Sequence, residues 1–113
     1  MLPHTGATLL IVEDNADLRD GLKDILSFEG FNVLLAGNGL EALAVMHNLR
    51  PDLIISDISM PEMDGFAFYE AVRALPEGVT IPFIFLTARG EREDILRGRN
   101  LGAEDYLIKP VMR

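Results

Sequence analysis

Five polar residues of the chain could together carry out phosphoryl transfer, and each stands at or just after the end of an apolar run. They are Glu13, Asp14, Asp57, Thr87 and Lys109. Carboxylates are oxygen ligands that suit a hard divalent cation such as Mg2+. A carboxylate can also be a nucleophile, while a cation, an amine and a hydroxyl stabilise the charge of phosphoryl oxygens. These residue types therefore predict a carboxylate that accepts a phosphoryl group beside a bound cation.

Short apolar runs, alternating with helix-like stripes, must position these residues. The predicted strands are residues 8–13, 31–36, 52–57, 82–87 and 106–108. The predicted helices contain residues 18–26 (stopped by Gly30), 43–46, 68–75 and 91–100 (stopped by Gly102). Strands that are apolar throughout are typical of a parallel sheet with helices on both faces. We therefore predict an α/β fold with a doubly wound, five-stranded parallel sheet.

In such a sheet, ligands bind outside the carboxyl ends of the strands. The five polar residues belong to the ends of four different strands, so we expect them at one edge. Three carboxylates that converge there repel each other, and a divalent cation removes this conflict. The sequence thus predicts a Mg2+ site at this edge, with the amine of Lys109 opposite the acids.

Composition narrows the classes of function. The chain has 113 residues, 49% of them hydrophobic and 25% charged, and it contains no Cys. No apolar run reaches the roughly 18 residues of a membrane span, so we expect a cytoplasmic protein with no membrane contact. The formal net charge of −8 repels phosphate backbones, so we expect no direct nucleic-acid binding.

These residues resemble the receiver domain of bacterial two-component response regulators, the CheY-like family. The matching segments are residues 12–15 (VEDN), 52–57 (DLIISD), 60–65 (MPEMDG), 85–88 (FLTA) and 102–110 (GAEDYLIKP). The segments occur in the family's order and cover the chain from about residue 8 to 110. The resemblance implies the flavodoxin-like strand order 2-1-3-4-5. It also implies a signalling domain that assists its own phosphorylation rather than an enzyme.

The resemblance implies a role for each matching acid. Asp57 is similar to the phosphoacceptor, which takes its phosphoryl group from a sensor histidine kinase. Glu13 and Asp14 are similar to the acid pair of the magnesium site. Asp57 and the backbone carbonyl of Ser59 would complete that site.

Three further residues match the part of the family pattern that reads out phosphorylation. Lys109 would pair with a phosphoryl oxygen, and Thr87 would donate a hydrogen bond to another. Tyr106 resembles the aromatic switch residue whose inward or outward position follows the movement of Thr87. The bond between Lys109 and Pro110 is expected to be cis, as X-Pro bonds permit.

The family's usual architecture ends with a fifth helix, for which this sequence has no counterpart. We expect residues 1–7 to form a flexible arm and residues 8–113 a receiver domain that is truncated at its C-terminus. The uncovered sheet face would then favour self-association or lower stability. Expected partners are the sensor kinase, an output domain or downstream protein, and a second copy of the chain in a homodimer.

Other interpretations of the same residues remain open at this point. A flavin or nucleotide site would need a phosphate-binding loop after the first strand, where Glu13 and Asp14 would repel phosphate. A phosphatase acting through an aspartyl phosphate commonly has a second acid where Ser59 stands. A degenerate receiver would bind partners without phosphorylation. The acids at positions 13 and 14 could also simply favour the start of the first helix.

Overall fold

The computed structural model describes residues 6–87 and 105–108, with side chains described for residues 6–86. The strands are β1 (Thr8–Val12), β2 (Asn32–Ala36), β3 (Leu53–Asp57), β4 (Phe83–Thr87) and β5 (Asp105–Ile108). The helices are α1 (Ala16–Phe28), α2 (Gly39–Met46) and α3 (Gly65–Ala74), and a 3-10 turn (Pro76–Gly78) follows α3.

All paired strands run parallel, in the order β2-β1-β3-β4-β5. This arrangement confirms the predicted α/β fold and strand order. The order reverses next to β1, since the chain passes from β1 outward to β2 and then across to β3. The carboxyl ends of β1 and β3 are therefore neighbours at the reversal, where a parallel sheet binds its ligands.

The sheet is buried on both faces, which explains why its strands are apolar throughout. Alternate residues of each strand point to opposite faces. Leu10, Val12, Ile54, Phe83 and Phe85 belong to the cluster that packs with α2 and α3. Leu9, Ile11, Ile55, Ile84 and Leu86 belong to the second cluster, which packs with α1. Every residue of β3 is buried, so this strand is the centre of the core.

Each of the three described helices begins at an Asn or Asp that caps it. The side chains of Asn15, Asn38 and Asp64 accept hydrogen bonds from the backbone N–H three residues later. Such a cap satisfies a donor that the first helical turn leaves unpaired. Asn15 and Asn38 follow the ends of β1 and β2 by two or three residues, whereas Asp64 follows the end of β3 by seven.

Gly30 ends the first helical segment, as the sequence predicts. Its φ is 100°, and its N–H donates to the carbonyl of Ser27 at 3.0 Å. The N–H of Phe31 donates to the carbonyl of Leu26 at 3.1 Å. A glycine with positive φ and this pair of bonds is a common way to end an α-helix.

The strand bounds differ from the predicted ones by one residue, whereas the three described helices begin two to four residues before the first predicted position. Glu13 lies just outside β1, Phe31 just outside β2, Asp52 just outside β3 and Pro82 just outside β4. Asp105 begins β5, one residue before the predicted start. The helix predicted at residues 91–100, and any segment after β5, fall outside the described residues. The N–H of Gly6 donates to the Gly30 carbonyl, and the N–H of Asn32 donates to the Ala7 carbonyl. Residues 1–5 lie outside the described residues, so the flexible arm at residues 1–7 stays a prediction.

Candidate functional site

Three carboxylates meet at the reversal point of the sheet. Glu13 and Asp14 follow β1, and Asp57 is the last residue of β3. One carboxylate oxygen from each of the three lies within 4.8 Å of the others. Glu13 and Asp57 are 0% and 3% exposed, whereas Asp14 faces solvent. The structure thus brings together the three acids that the sequence predicts at this edge, two of them buried and one, Asp14, exposed.

The backbone around Glu13 fixes the direction of its side chain. Its N–H donates to the carbonyl of Ala36 at 3.0 Å, which extends the pairing of β1 with β2 by one residue. Its carboxylate Oε2 accepts the N–H of Asn15 at 3.0 Å. A buried carboxylate needs such donors, because transfer of a charge out of water is costly unless the charge is paired or hydrogen-bonded.

Asp57 is held by its own neighbours in the chain. The N–H of Ile58 donates to Asp57 Oδ1 at 2.8 Å, and the buried hydroxyl of Ser56 donates to the Asp57 carbonyl at 2.9 Å. The first bond restricts rotation of the carboxylate, and the second restrains the backbone just before the loop to α3. The side chain of Asp57 is therefore oriented before any ligand arrives.

Gly65 allows the start of α3 to pass directly beside the Asp57 backbone. Its N–H donates to the carbonyl of Ile58 at 2.7 Å. A Cβ at this position would lie 2.2 Å from the Asp57 carbonyl oxygen and 2.8 Å from the Ile58 Cα. Both atoms belong to the backbone and cannot move aside as a flexible side chain could. Only glycine fits here.

The loop between β3 and α3 contains a tight turn at Glu62. Glu62 has a φ of 70°, and the N–H of Met63 donates to the carbonyl of Pro61 at 2.7 Å. This is a γ-turn with positive φ at its central residue, a rare and strained conformation. The next residue, Met63, packs against the start of α2, where a Cβ on Gly39 would lie 2.8 Å from its Cγ. The loop that follows Asp57 is thus anchored to α2 as well as α3.

The other predicted site residues are described only in part. Ser59 is exposed two residues after Asp57. Thr87 is the last residue of β4, one position beyond Leu86, which pairs with Asp57. Tyr106 pairs with Phe85 in the register of β4 and β5. The side chains of Thr87 and Tyr106, and all of Lys109 and Pro110, lie outside the described residues, so their roles and the cis bond stay predictions.

The chemistry of the acid group fits a hard divalent cation. Mg2+ binds oxygen ligands at about 2.0–2.1 Å in an octahedron, which places neighbouring ligand oxygens about 3 Å apart and opposite ones about 4 Å apart. The spread of the three carboxylate oxygens, within 4.8 Å, is close to this range. Without a cation, three negative groups at this separation repel each other. The exposed position of Asp14 leaves one side of the group open to solvent and to a substrate.

Comparison with known protein families identifies the chain. A family model for the response regulator receiver domain matches residues 9–113. The chain belongs to the response regulator receiver family. The matched range includes all three acids and all five strands, apart from the first residue of β1. Receiver domains are signalling domains, and the resemblance noted from the sequence motifs is thereby confirmed.

Curated relatives agree with this assignment. The receiver domain is 46% identical over 103 residues to an uncharacterized 14.6 kDa protein of Leptolyngbya boryana, covering 91% of this chain and 79% of that protein. It is 43% identical to the probable transcriptional regulator ycf29 of Porphyra purpurea, covering 90% of this chain and 49% of the relative. It is 39% identical to the response regulator MprA of a Mycobacterium strain, covering 90% of this chain and 44% of the relative. The chain thus spans about half the length of the named regulators.

Solved structures show the same fold. The chemotaxis response regulator CheY4 of Vibrio cholerae superposes with a TM-score of 0.89 at 37% identity, covering 96% of this receiver domain and 90% of that chain. The receiver domain of the sensor histidine kinase PA1611 from Pseudomonas aeruginosa superposes with a TM-score of 0.85 at 32% identity, covering 94% and 87%. The latter protein has a magnesium ion coordinated in its active site cleft.

In the part of the chain that the structure describes, no helix has both the length and the apolar character needed to cross a lipid bilayer.

Sequence reasoning missed the residues that orient the acids. The N–H groups of Ile58 and Asn15 donate to the carboxylates of Asp57 and Glu13, and such backbone contacts have no residue-type signature. Gly65 was recognised only as part of a motif. Its position directly after Asp64, a capping residue type, was the available signal that a helix starts here in close contact with another segment.

Proposed function

We propose that this receiver domain accepts a phosphoryl group on Asp57 from a sensor histidine kinase, with Mg2+ bound beside it. The observation that carries the proposal is the approach of the Glu13, Asp14 and Asp57 oxygens to within 4.8 Å at the carboxyl ends of β1 and β3. The caps of the neighbouring helices are other residues, Asn15 for α1 and Asp64 for α3, so helix capping does not account for three acids in this position.

In the proposed reaction, the phosphoryl group passes from a histidine of the kinase to Asp57. A carboxylate oxygen of Asp57 forms the new P–O bond, while the P–N bond to the kinase histidine breaks and its electron pair returns to the imidazole. The step needs no general base, because a carboxylate nucleophile carries no proton that must be removed. The Ile58 N–H holds the carboxylate in one orientation at 2.8 Å. Positioning and charge stabilisation are the main sources of catalysis in such transfers.

The proposed metal ligands are Glu13, Asp14, Asp57 and the backbone carbonyl of Ser59. Bound Mg2+ would supply charge neutralisation for the phosphoryl oxygens. Asp14, as the exposed member, lies on the side from which a phosphoryl donor would approach. The likeness to the PA1611 receiver domain, which coordinates a magnesium ion, supports this set.

The response to phosphorylation is proposed to involve the neighbouring strands. The Thr87 hydroxyl and the Lys109 amine would contact phosphoryl oxygens, and Tyr106 would change position with Thr87. The strand register supports this part, because Thr87 lies one position beyond the residue that pairs with Asp57. The altered surface would then control an output domain or a downstream protein. A homodimer is a further partner that we propose for the phosphorylated form.

Longer relatives suggest the setting in which this domain works. Two of them carry the words transcriptional regulator in their names, and this chain matches less than half of each. We propose that the receiver controls such an output through contacts rather than through direct nucleic-acid binding, given its net charge of −8. Because the kinase draws its phosphoryl group from ATP, we propose a cytoplasmic location.

The proposed function can be tested by intact mass after incubation with a small acyl-phosphate donor. Wild-type protein is expected to gain one phosphoryl group with Mg2+ and none with a chelator. For the Asp14→Asn variant, we expect the Mg2+ concentration for half-maximal phosphoryl uptake to rise at least about tenfold, because changes around a metal site commonly cost 10–100-fold in affinity. The matched control is Asp20→Asn, an exposed acid of α1, which should behave as wild type.

Uptake that is equally efficient in chelator would contradict the metal assignment. A wild-type chain that takes up no phosphoryl group under any condition would instead favour a receiver that binds partners without phosphorylation. The flavin and phosphatase interpretations predict a bound chromophore and sustained release of phosphate, respectively, and the same samples report on both.

A further inference from the structure

We infer that Arg19 is a positioning residue for the metal site, a role that rests on the proposed function. Arg19 is the fourth residue of α1 and is half-buried. Its Nη1 donates to the backbone carbonyl of Glu13 at 3.1 Å. Arg19 therefore contacts the backbone of a metal-site acid. It acts on the metal through the geometry of the loop.

The contact fixes the peptide plane that joins two of the proposed ligands. The carbonyl of Glu13 and the N–H of Asp14 belong to one planar peptide unit. The N–H of Glu13 is held on its other side by the carbonyl of Ala36 at 3.0 Å. With both ends held, the backbone at Glu13 can rotate little. The directions in which the side chains at positions 13 and 14 leave the backbone are then set together.

Arg19 also lies against the turn that follows β2. A Cβ on Gly37 would lie 3.4 Å from Arg19 Nη1 and 3.8 Å from Glu41 Oε1. The same Glu41 oxygen accepts the N–H of Gly37 at 2.8 Å. One side chain thus meets the end of β1 and the turn before α2.

The charge of Arg19 and its geometry have opposite effects on cation binding. A positive charge held on the backbone of Glu13 opposes the binding of Mg2+ nearby, so its removal alone would strengthen binding. Loss of the hydrogen bond frees the peptide between Glu13 and Asp14, so the ligands must be ordered when the cation binds. That ordering weakens binding. The sign of the change in affinity therefore separates a positioning role from a purely electrostatic one.

The experiment measures Mg2+ affinity by titration calorimetry for the wild type, Arg19→Met and Lys23→Met. Lys23 is exposed and lies one helical turn further along α1, so its variant removes the same unit charge from the same helix. Arg19→Met is expected to raise the Mg2+ dissociation constant at least fivefold and to raise the Mg2+ concentration for half-maximal phosphorylation in parallel. Lys23→Met is expected to stay within twofold of the wild type.

If the wild type binds Mg2+ and takes up a phosphoryl group, and Arg19→Met binds Mg2+ as tightly or more tightly, the inference about Arg19 is overturned. The proposed function would then stand. A wild type that binds no Mg2+ would overturn the proposed function and this inference with it. Thermal melts in chelator establish that each variant is folded. If Arg19→Met does not fold, Arg19→Lys is measured in the same way. Its shorter side chain is expected to weaken binding at least twofold, and wild-type affinity would overturn the inference.

Discussion

The Asp57→Asn variant is expected to take up no phosphoryl group under conditions in which the wild-type chain is fully modified. An amide oxygen is a far weaker nucleophile than a carboxylate oxygen, and the substitution also removes one of the three charges that would bind Mg2+. The effect is the complete loss of the adduct in the intact mass spectrum. Folding should be retained, because an Asn side-chain oxygen can still accept the Ile58 N–H that Asp57 Oδ1 accepts at 2.8 Å.

The same variant separates a loss of chemistry from a loss of structure. Without Mg2+, the melting temperature of Asp57→Asn should equal or exceed that of the wild type, because one of three repelling charges is gone. Added Mg2+ should raise the melting temperature of the wild type more than that of the variant. The matched control is Asp52→Asn, just before the other end of β3, where an amide can still accept the N–H of Thr8. Full uptake by Asp57→Asn would show that the phosphoacceptor lies elsewhere.

The Gly65→Ala variant is expected to show the largest loss of stability among substitutions near the site. The added Cβ would lie 2.2 Å from the Asp57 carbonyl oxygen, so either α3 or the end of β3 must move. Adding a group to a well-packed region typically costs about 1–3 kcal/mol in the free energy of unfolding, and we expect the upper end of that range because both clashing atoms belong to the backbone. Any shift also moves the Asp57 carboxylate. Urea denaturation measures the first effect, and phosphoryl uptake by the folded fraction, expected to fall at least tenfold, measures the second.

Gly37→Ala is the control for Gly65→Ala. Gly37 lies between β2 and α2 and Gly65 is the first residue of α3, both at this edge of the sheet. A Cβ on Gly37, however, meets no atom closer than 3.4 Å. That distance is an ordinary contact, so the free energy of unfolding should change by less than about 1 kcal/mol. Similar losses in the two variants would mean that the close approach at Gly65 is not what the site requires.

The fold was predictable because its strands are apolar on both faces. Runs such as residues 52–57 and 82–87 indicate a covered parallel sheet, and the structure confirms the sheet and its order. The same lack of alternation explains the errors of one residue at the strand ends. In a run without a polar face, nothing in the pattern marks whether Asp52 or Leu53 begins the strand. That choice depends on pairing across the sheet, where the Asp52 N–H donates to the Thr8 carbonyl while the Thr8 N–H donates to the Asp52 carboxylate.

The acids of the site were predictable because strand ends converge in a parallel sheet. Glu13, Asp14 and Asp57 come from two distant segments, and topology alone brings them together. The contacts that orient them could not be predicted in the same way. Arg19 donates to a backbone carbonyl six residues away, and its type and spacing are those of any solvated helix residue. Its role depends on the angle at which α1 leaves β1, which the cap at Asn15 sets only in the folded chain.

The proposed roles of Thr87, Tyr106 and Lys109 rest on motif resemblance, to which strand register adds support for Thr87 and Tyr106. Register places the backbone of Thr87 at the correct edge of the sheet, beside the strand that carries Asp57. Register does not determine where a hydroxyl or a ring points, since a side-chain rotamer depends on its local neighbours. The phosphorylation response of these residues is therefore a separate question from the identity of the phosphoacceptor.

The most direct test of the central claim is to locate the modified residue by peptide mass spectrometry. Wild-type protein is phosphorylated with an acyl-phosphate donor and Mg2+, the labile acyl phosphate is trapped by hydride reduction, and the chain is digested. The account predicts a single modified residue, Asp57, and no modification when Mg2+ is chelated. Modification of Asp14, Asp64 or any other acid in place of Asp57, or a modification that is independent of Mg2+, would contradict it.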